Sequence, residues 1–191
     1  SWKIFLSSKK ACKETVLTET LISVVIPAYN YADSLPRAVE SVLLQLHEAT
    51  ADLLVIDDGS TDSTPEVMQA LLAEHAGRFR AIRQSNGGLS SVRNRGIEET
   101  TGQFLIFLDA DDEMAPGALA ALSQHIASHP DTQMIIGAHW SIFSDGKRSL
   151  QAVKPLPATV RHRVRGYLLD KTVSISNGAC AMHREVFAPG N

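Results

Sequence analysis

FLIFLDADD, residues 104–112, places five apolar residues directly before a cluster of carboxylates. A short apolar run with Gly102 before it and charge after it is typical of a buried strand. Asp109, Asp111 and Asp112 follow the end of that strand, where open α/β sheets bind their ligands. Two interpretations stay open for this segment alone. It is either a site for a divalent cation that carries phosphate oxygens or a solvated acidic turn before the next helix.

Size and composition restrict the class of protein. The 191 residues, 44% hydrophobic and 20% charged, are typical of one soluble globular domain. The net charge of −3 gives no reason to expect nucleic acid as a partner. Cys12 and Cys180 have no pairing or metal-ligand spacing, so we expect a reduced, cytoplasmic setting. No apolar stretch approaches the roughly 18 residues that span a bilayer.

Strand and helix patterns alternate along the chain. Strands separated by helices of about ten to fifteen residues imply right-handed βαβ units and a mainly parallel sheet. The predicted strands are residues 21–26, 52–56, 79–83, 104–108 and 132–138. Between the first four, apolar residues at helical spacing predict helices that begin near 35, 64 and 89, and a fourth helix follows residue 116.

Several local signals refine this outline. Asp33 or Ser34 is expected to cap the first helix, and STPE at 63–66 has the pattern of a capping box. Residues 141–150 predict a hairpin, whereas 155–169 are ambiguous.

A polar segment comes directly after each of three predicted strands: PAYN at 27–30, DDGSTD at 57–62 and DADD at 109–112. The carboxyl ends of parallel strands meet at one edge of the sheet, so these segments gather there. Tyr29 offers a flat face for a base, the aspartates of the second segment can accept from a base N–H, and the third segment can hold a metal. A packing aromatic and ordinary turns are the simpler alternatives.

Other common sites are not supported. No Gly-x-Gly-x-x-Gly follows the first strand and no P-loop pattern is present, which disfavours dinucleotide binding and P-loop NTPases. His125 and His129 lie four apart without the Glu of a zinc protease, and we interpret both as surface or helix-end residues. Ser60 has no histidine in a fixed relation to it, so hydrolase chemistry has little support.

Four motifs occur in a fixed order: VVIPAYN at 24–30, VIDDGSTD at 55–62, NGG at 86–88 with RNRGI at 93–97, and FLDADD at 107–112. In this the chain resembles the family 2 inverting glycosyltransferases of GT-A fold, most strongly over residues 20–140. The resemblance implies a Rossmann-like, three-layer α/β/α domain over 21–191, after a lead-in at 1–20. It also implies inverting transfer of a sugar from a nucleoside-diphosphate donor to an acceptor hydroxyl. A UDP-sugar is the donor that we expect first.

The resemblance assigns nucleotide-binding roles residue by residue. Pro27 and Tyr29 would line the base. Asp58 would accept the ring N–H of the base, with Asp57 beside it. Arg93 would lie near the nucleotide or its phosphates.

The same resemblance assigns the acidic segment. Asp109 and Asp111 would be the first and last carboxylates of the family's Asp-x-Asp motif. Asp111 would coordinate Mn²⁺ or Mg²⁺, Asp109 would contact the ribose or the metal shell, and Asp112 would support them.

The family's catalytic base is an Asp in a downstream Glu-Asp pair, which the chain does not contain before Asn191. Glu185 precedes the expected position and fits a short helix, so it is not assigned as the base. We therefore expect a hexosyltransferase-like domain truncated in its acceptor part, inactive as this fragment, with its base beyond Asn191. A non-catalytic nucleotide-binding module of the same fold is the alternative.

Family members commonly build cell-surface polysaccharides or glycoconjugates. The resemblance therefore implies a saccharide or lipid-linked acceptor and a cytoplasmic enzyme, with peripheral association at the inner face of the membrane.

Overall fold

The computed structural model describes residues 21–152 and 177–188, so the lead-in at 1–20 and the ambiguous segment 155–169 lie outside the described residues. The strands are β1 Ile22–Ala28, β2 Ala51–Asp57, β3 Arg80–Arg83, β4 Phe104–Phe107, β5 Met134–Ile136, β6 His139–Ile142, β7 Arg148–Gln151 and β8 Cys180–His183. The helices are α1 Leu35–Leu43, α2 Thr64–Glu74, α3 Leu89–Glu99 and α4 Ala118–Ser128, with 3₁₀ turns at Leu46–Glu48, Asn177–Ala179 and Arg184–Phe187.

Six strands form the main sheet in the order β3-β2-β1-β4-β8-β5. The first four pair in parallel, with Ala28 opposite Asp57 and Val25 opposite Phe107. This confirms the predicted mainly parallel sheet. β8 inserts antiparallel between β4 and β5 and was not predicted, because the apolar run in its four residues, CAMH, is too short to indicate a strand. Its position depends on pairing with distant strands.

Helices cover both faces of the sheet, which makes three layers. On one face α1, α2 and α4 pack against inward-facing residues such as Ile26 and Ile106. On the other face α3 packs Val92 against Leu105 and Phe107. Gly96 allows this close approach, because a Cβ there would lie 2.8 Å from Cγ1 of Val25. The predicted α/β/α arrangement is therefore present.

The predicted helix caps do not form. Ser34 and Ser63 occupy the N-cap positions of α1 and α2, but neither side chain makes a capping hydrogen bond. At α2 the first-turn amide of Thr64 donates instead to Oδ1 of Asp62, at 2.9 Å. Asp62, two residues before Thr64, therefore takes the place of the predicted cap.

The predicted hairpin is present as β6 and β7, which pair antiparallel. Its turn contains Gly146 at φ 80°, and the amide of Lys147 donates to Oδ1 of Asp145. None of the helices in the described ranges is long and apolar enough to cross a bilayer. Cys180 is a buried free thiol within β8.

Arg184 anchors the segment that follows β8. Its Nε donates to the carbonyl of Gly102 at 2.9 Å, and its Nη1 donates to the carbonyl of Ile97 at 2.6 Å. Its Nη2 donates to Oγ1 of Thr100 at 3.0 Å. A cation at the carboxyl end of a helix satisfies carbonyls that have no intrahelical partner. Arg184 therefore joins the end of α3 to the end of β8.

We expect Arg184→Met to lower the free energy of unfolding by about 2 to 4 kcal/mol, because it leaves partly buried carbonyls without their charged donor. Arg95→Met is the matched control, since Arg95 forms an ion pair with Glu99 on the surface of α3, and there we expect a change within about 0.5 kcal/mol. Urea unfolding of both variants measures the difference. Equal losses in the two variants would contradict the anchoring role.

Candidate functional site

The three predicted polar segments lie at the same edge of the sheet. They follow β1, β2 and β4, which are parallel neighbours. The amide of Asp58 donates to the carbonyl of Ala28, and the amide of Leu108 donates to the carbonyl of Val25. The loops that leave these strands are therefore held side by side from their first residues.

Asn30 ties the first loop to the second. Its amide donates to Oγ of Ser60 at 2.9 Å, and its Oδ1 accepts from the amides of Thr61 at 2.8 Å and Asp62 at 3.3 Å. Its backbone is left-handed, with φ 60°, a conformation that asparagine tolerates better than most residues. One side chain thus orders two loops. The sequence indicated Asn30 only as part of the PAYN segment, and this structural role was not predicted.

The outer parts of the same two loops are also joined. The amide of Tyr31 donates to Oγ1 of Thr64 at 2.9 Å, and the amide of Ala32 donates to Oδ2 of Asp62 at 3.3 Å. Pro27 is buried inside β1, whereas Tyr29 is 45% exposed. Tyr29 is thus the open side chain of the pair, and Pro27 lies behind it.

Asp57 lies beneath the loop. It is fully buried, accepts from the amide of Ser60 at 3.0 Å and forms a 3.1 Å ion pair with Nε of Arg83. Nη2 of Arg83 in turn donates to the carbonyl of Ser60 at 2.8 Å. The carboxylate therefore shapes the turn that presents its neighbour, and its own oxygens do not face the open edge.

Asp58 accepts hydrogen bonds from the glycine loop before α3. Oδ1 accepts from Nε2 of Gln84 at 2.7 Å and from the amide of Gly87 at 3.0 Å, and Oδ2 accepts from the amide of Gly88 at 2.8 Å. Gly59 makes the turn possible, because it has φ 73° and a Cβ there would lie 2.8 Å from the amide nitrogen of Asn86. The loop after β2 and the loop before α3 thus form one unit around a carboxylate.

The acidic segment faces Arg93. Nη2 of Arg93 lies 3.9 Å from Oδ1 of Asp109, and the guanidinium lies over the ring of Phe107 at 5.9 Å. The Asp109 side chain is 44% exposed, and Asp111 is exposed as a whole. A basic side chain on α3 and the carboxylates after β4 therefore flank the same opening.

The carboxylates of this segment disfavour one another's charged forms. Partial burial raises the pKa of Asp109, Arg93 opposes that rise, and the charge of Asp111 adds to it. Burial also raises the pKa of Asp112, with Asp111 and Asp109 adding to the rise and His139 opposing it. Like charges held this close are relieved when a cation binds among them.

The donor set fits a metal held jointly by protein and ligand. Within 21–152 and 177–188, no three His, Cys, Asp or Glu side chains converge on one point, so a cage made of protein alone is not present. Mg²⁺ and similar ions, however, bind through one or two carboxylates together with substrate phosphates and water. Asp109 and Asp111 supply that number of carboxylates.

Residues from distant segments border the acidic segment and were not predicted. The turn Asn177–Ala179 lies against it, because a Cβ on Gly178 would lie 3.5 Å from Oδ2 of Asp112. Tyr31 is close enough that Asp111, followed by burial, raises the pKa of its phenol. No local pattern marks these residues, since each reaches the site through pairing elsewhere in the fold.

We expect Asn30→Gly to lower the free energy of unfolding by about 1 to 2 kcal/mol, because glycine keeps the left-handed backbone but loses the acceptor for two amides. Asn30→Asp is the matched control, since it keeps that acceptor, and we expect it to stay within about 0.5 kcal/mol of the parent. Urea unfolding and amide hydrogen exchange at Thr61 and Asp62 measure the effect. Unchanged exchange in the glycine variant would show that the tether does not hold the loop.

The profile described as glycosyl transferase family 2 matches residues 23–188. Two curated relatives are the uncharacterised glycosyltransferase YibD of Escherichia coli and glycosyltransferase GlyG of Streptococcus pneumoniae. YibD is 42% identical over 50% of this chain, and GlyG is 32% identical over 63%. The chain spans 27% and 40% of their respective lengths.

Solved structures share the fold. TarS of Staphylococcus aureus, solved over its residues 1–349, has a TM-score of 0.63 at 19% identity, with 87% of this chain and 48% of that chain covered. The mannosyltransferase PcManGT of Pyrobaculum calidifontis, solved with GDP-Man and Mn²⁺, has a TM-score of 0.61 at 17% identity, with 89% and 46% covered. With the GT-A architecture and the matched profile, this chain belongs to glycosyl transferase family 2.

Proposed function

We propose that this chain forms the donor-binding part of a metal-dependent glycosyltransferase that transfers a sugar from a nucleoside-diphosphate sugar to an acceptor hydroxyl with inversion. One observation carries the proposal. An open aromatic, a carboxylate on a glycine loop, and an arginine facing aspartates lie along one edge of the sheet. The aromatic ring suits a base, the carboxylate suits the polar edge of that base, and the arginine with the aspartates suits a diphosphate.

Tyr29 and Asp58 take the nucleoside in this proposal. The exposed ring of Tyr29 offers a face on which a base stacks. When it is ionised, the Asp58 carboxylate accepts hydrogen bonds and donates none, which suits a ring N–H of the base. Pro27 and Asp57, which the resemblance also assigns to the nucleotide site, are both buried, and in this proposal they support the loops that carry Tyr29 and Asp58.

Arg93, Asp109 and Asp111 take the diphosphate. Arginine is suited to phosphate because its fork of N–H donors matches two phosphate oxygens. Asp111 and Asp109 would hold Mn²⁺ or Mg²⁺, and such an ion supplies neutralisation of the charge that develops on the leaving diphosphate. The Mn²⁺ bound with GDP-Man in the PcManGT structure and the UDP-GlcNAc bound in a TarS structure support this assignment by analogy of fold.

An inverting transfer needs a base that removes the proton of the acceptor hydroxyl as its oxygen attacks the anomeric carbon. Glu185 is badly placed for this role. β8 is antiparallel to β4, with His183 opposite Phe104, so the turn Arg184–Phe187 lies at the amino edge of β4, away from Asp109. We propose that a carboxylate further along the whole protein supplies the base.

The wider assignment rests on the family resemblance. We propose a saccharide or lipid-linked acceptor and a role in cell-surface polysaccharide or glycoconjugate synthesis, at the cytoplasmic face of the membrane. Direct attack by the acceptor oxygen predicts a product anomer opposite to that of the donor.

Asp111→Asn tests the metal part of the proposal. We expect the affinity for UDP in the presence of Mn²⁺ to fall at least about tenfold, because even residues that only orient metal ligands contribute 10- to 100-fold. Calorimetric titration with UDP measures the affinity, and Asp131→Asn, an exposed aspartate outside the site, is the charge-matched control. Failure of the parent chain to bind any nucleoside diphosphate with Mn²⁺ would overturn the proposed function.

Arg93→Met separates diphosphate from nucleoside recognition. We expect the dissociation constant for UDP to rise about tenfold, the effect of losing a charge-assisted hydrogen bond, while that for uridine stays unchanged. Arg95→Met, two residues along α3, serves as control. Equal weakening of UDP and uridine would assign Arg93 to the nucleoside or to the fold.

A further inference from the structure

The hydrogen bonds of Asp58 limit what its carboxylate can accept. Two carboxylate oxygens offer about four acceptor positions in all. Gln84 and Gly87 occupy both positions of Oδ1, and Gly88 occupies one of the two on Oδ2. The residue is only 3% exposed, so little of it is open to a ligand. Among the described residues no further donor reaches the carboxylate, which leaves one acceptor position, on Oδ2, for a base.

The three donors are fixed in place. The amides of Gly87 and Gly88 belong to a loop packed so closely that a Cβ on Gly87 would lie 2.7 Å from Oγ of Ser91. The amide group of Gln84 has only one possible orientation, because its oxygen would repel the carboxylate. Its Nε2 also donates to Oγ of Ser91 at 3.3 Å, which holds it there.

The bases differ in the donors that they present. The imide of uracil or thymine presents one N–H between two carbonyls, which matches one free acceptor. Guanine presents two adjacent donors, N1–H and the 2-amino group, and needs both carboxylate oxygens. Cytosine presents a 4-amino donor beside a ring nitrogen with a lone pair, and an ionised carboxylate placed to accept a ring N–H meets that lone pair and is repelled.

We propose that Gln84 determines base selectivity by occupying Oδ1 of Asp58, so that the site takes a nucleoside diphosphate with a single imide N–H and rejects guanine and cytosine. This inference rests on the proposed function, because it concerns the same donor site. It adds to that function the chemical class of the base and the residue that sets it.

Calorimetric titration of the 191-residue chain with Mn²⁺ and UDP, dTDP, CDP or GDP tests the selectivity. We expect UDP and dTDP to bind at least about tenfold more tightly than GDP and CDP, the effect of one charge-assisted hydrogen bond. We expect 3-methyl-UDP, which lacks the imide N–H, to be weakened to a similar degree. GDP binding within threefold of UDP would overturn the inference and leave the proposed function standing. Absence of binding by every diphosphate would overturn both.

Gln84→Met tests the residue itself. Methionine has a similar length but donates nothing, so it frees one acceptor position on Oδ1. We expect the ratio of GDP to UDP dissociation constants to fall at least threefold, with UDP affinity kept within threefold of the parent. Gln124→Met, an exposed residue on α4, is the matched control. A ratio unchanged in Gln84→Met, with UDP still bound, would show that Gln84 does not set the selectivity.

Discussion

The parallel pairing of β1 with strands on both sides is the constraint on which the rest of the structure depends. All seven residues of Ile22–Ala28 are buried, and they pair with β2 on one side and β4 on the other. A strand buried on both faces carries mainly apolar side chains. The polar Ser23 of β1 is bonded within the protein, to Oδ1 of Asp52 and to the amide of Gly102. The chemistry of the chain is therefore displaced to the loops, and parallel pairing brings those loops to one edge.

The loops at this edge extend beyond the hydrogen bonds between strands, so the sheet does not fix their conformation. Side chains that are hydrogen-bonded to the backbone of neighbouring loops fix it instead. Asn30 and Asp58 each accept from two backbone amides of another loop, and neither bond depends on a regular element. Asp58 is only 3% exposed, so leaving its carboxylate unpaired would be costly. Asn30 is exposed and orders the second loop through its bonds to the amides of Thr61 and Asp62. The same bonds position the open ring of Tyr29.

The aspartates at this edge of the sheet differ in how far their negative charge is compensated by nearby cations. Asp57 has Arg83 as a partner and serves the interior of the loop. Asp109 and Asp112 have raised pKa values because burial and neighbouring carboxylates outweigh Arg93 and His139. The acidic segment is thus left short of positive charge at the open edge. A structure that is neutralised elsewhere but not at one opening favours a cationic or metal-bearing ligand there.

Sequence patterns predicted what depends on local order. The first four strands and the helices between them followed from apolar runs and helical spacing, and the hairpin at Gly146 followed from its turn residues. The caps at Ser34 and Ser63 do not form, and at α2 the neighbouring Asp62 accepts from the amide of Thr64 instead. The contacts of Asn30, Gln84 and Gly178 could not be predicted, since each joins segments far apart in the chain. Asp57, the last residue of β2, and Asp58 after it face different ways because successive side chains of a strand alternate in direction.

The direction of β8 constrains how the rest of the protein completes the site. Because β8 runs antiparallel to β4, its beginning, next to Gly178, lies beside the acidic segment, while its end at His183 lies at the opposite edge. Arg184 fixes the chain at that far edge through the end of α3. The four residues of β8 span about 10 Å from first to last at the usual rise per residue. In the proposed function, a base supplied by residues after Phe187 would therefore have to return along the length of β4 to reach the acidic segment. The donor loops and the proposed base would then come from parts of the protein that approach the site from opposite edges of the sheet.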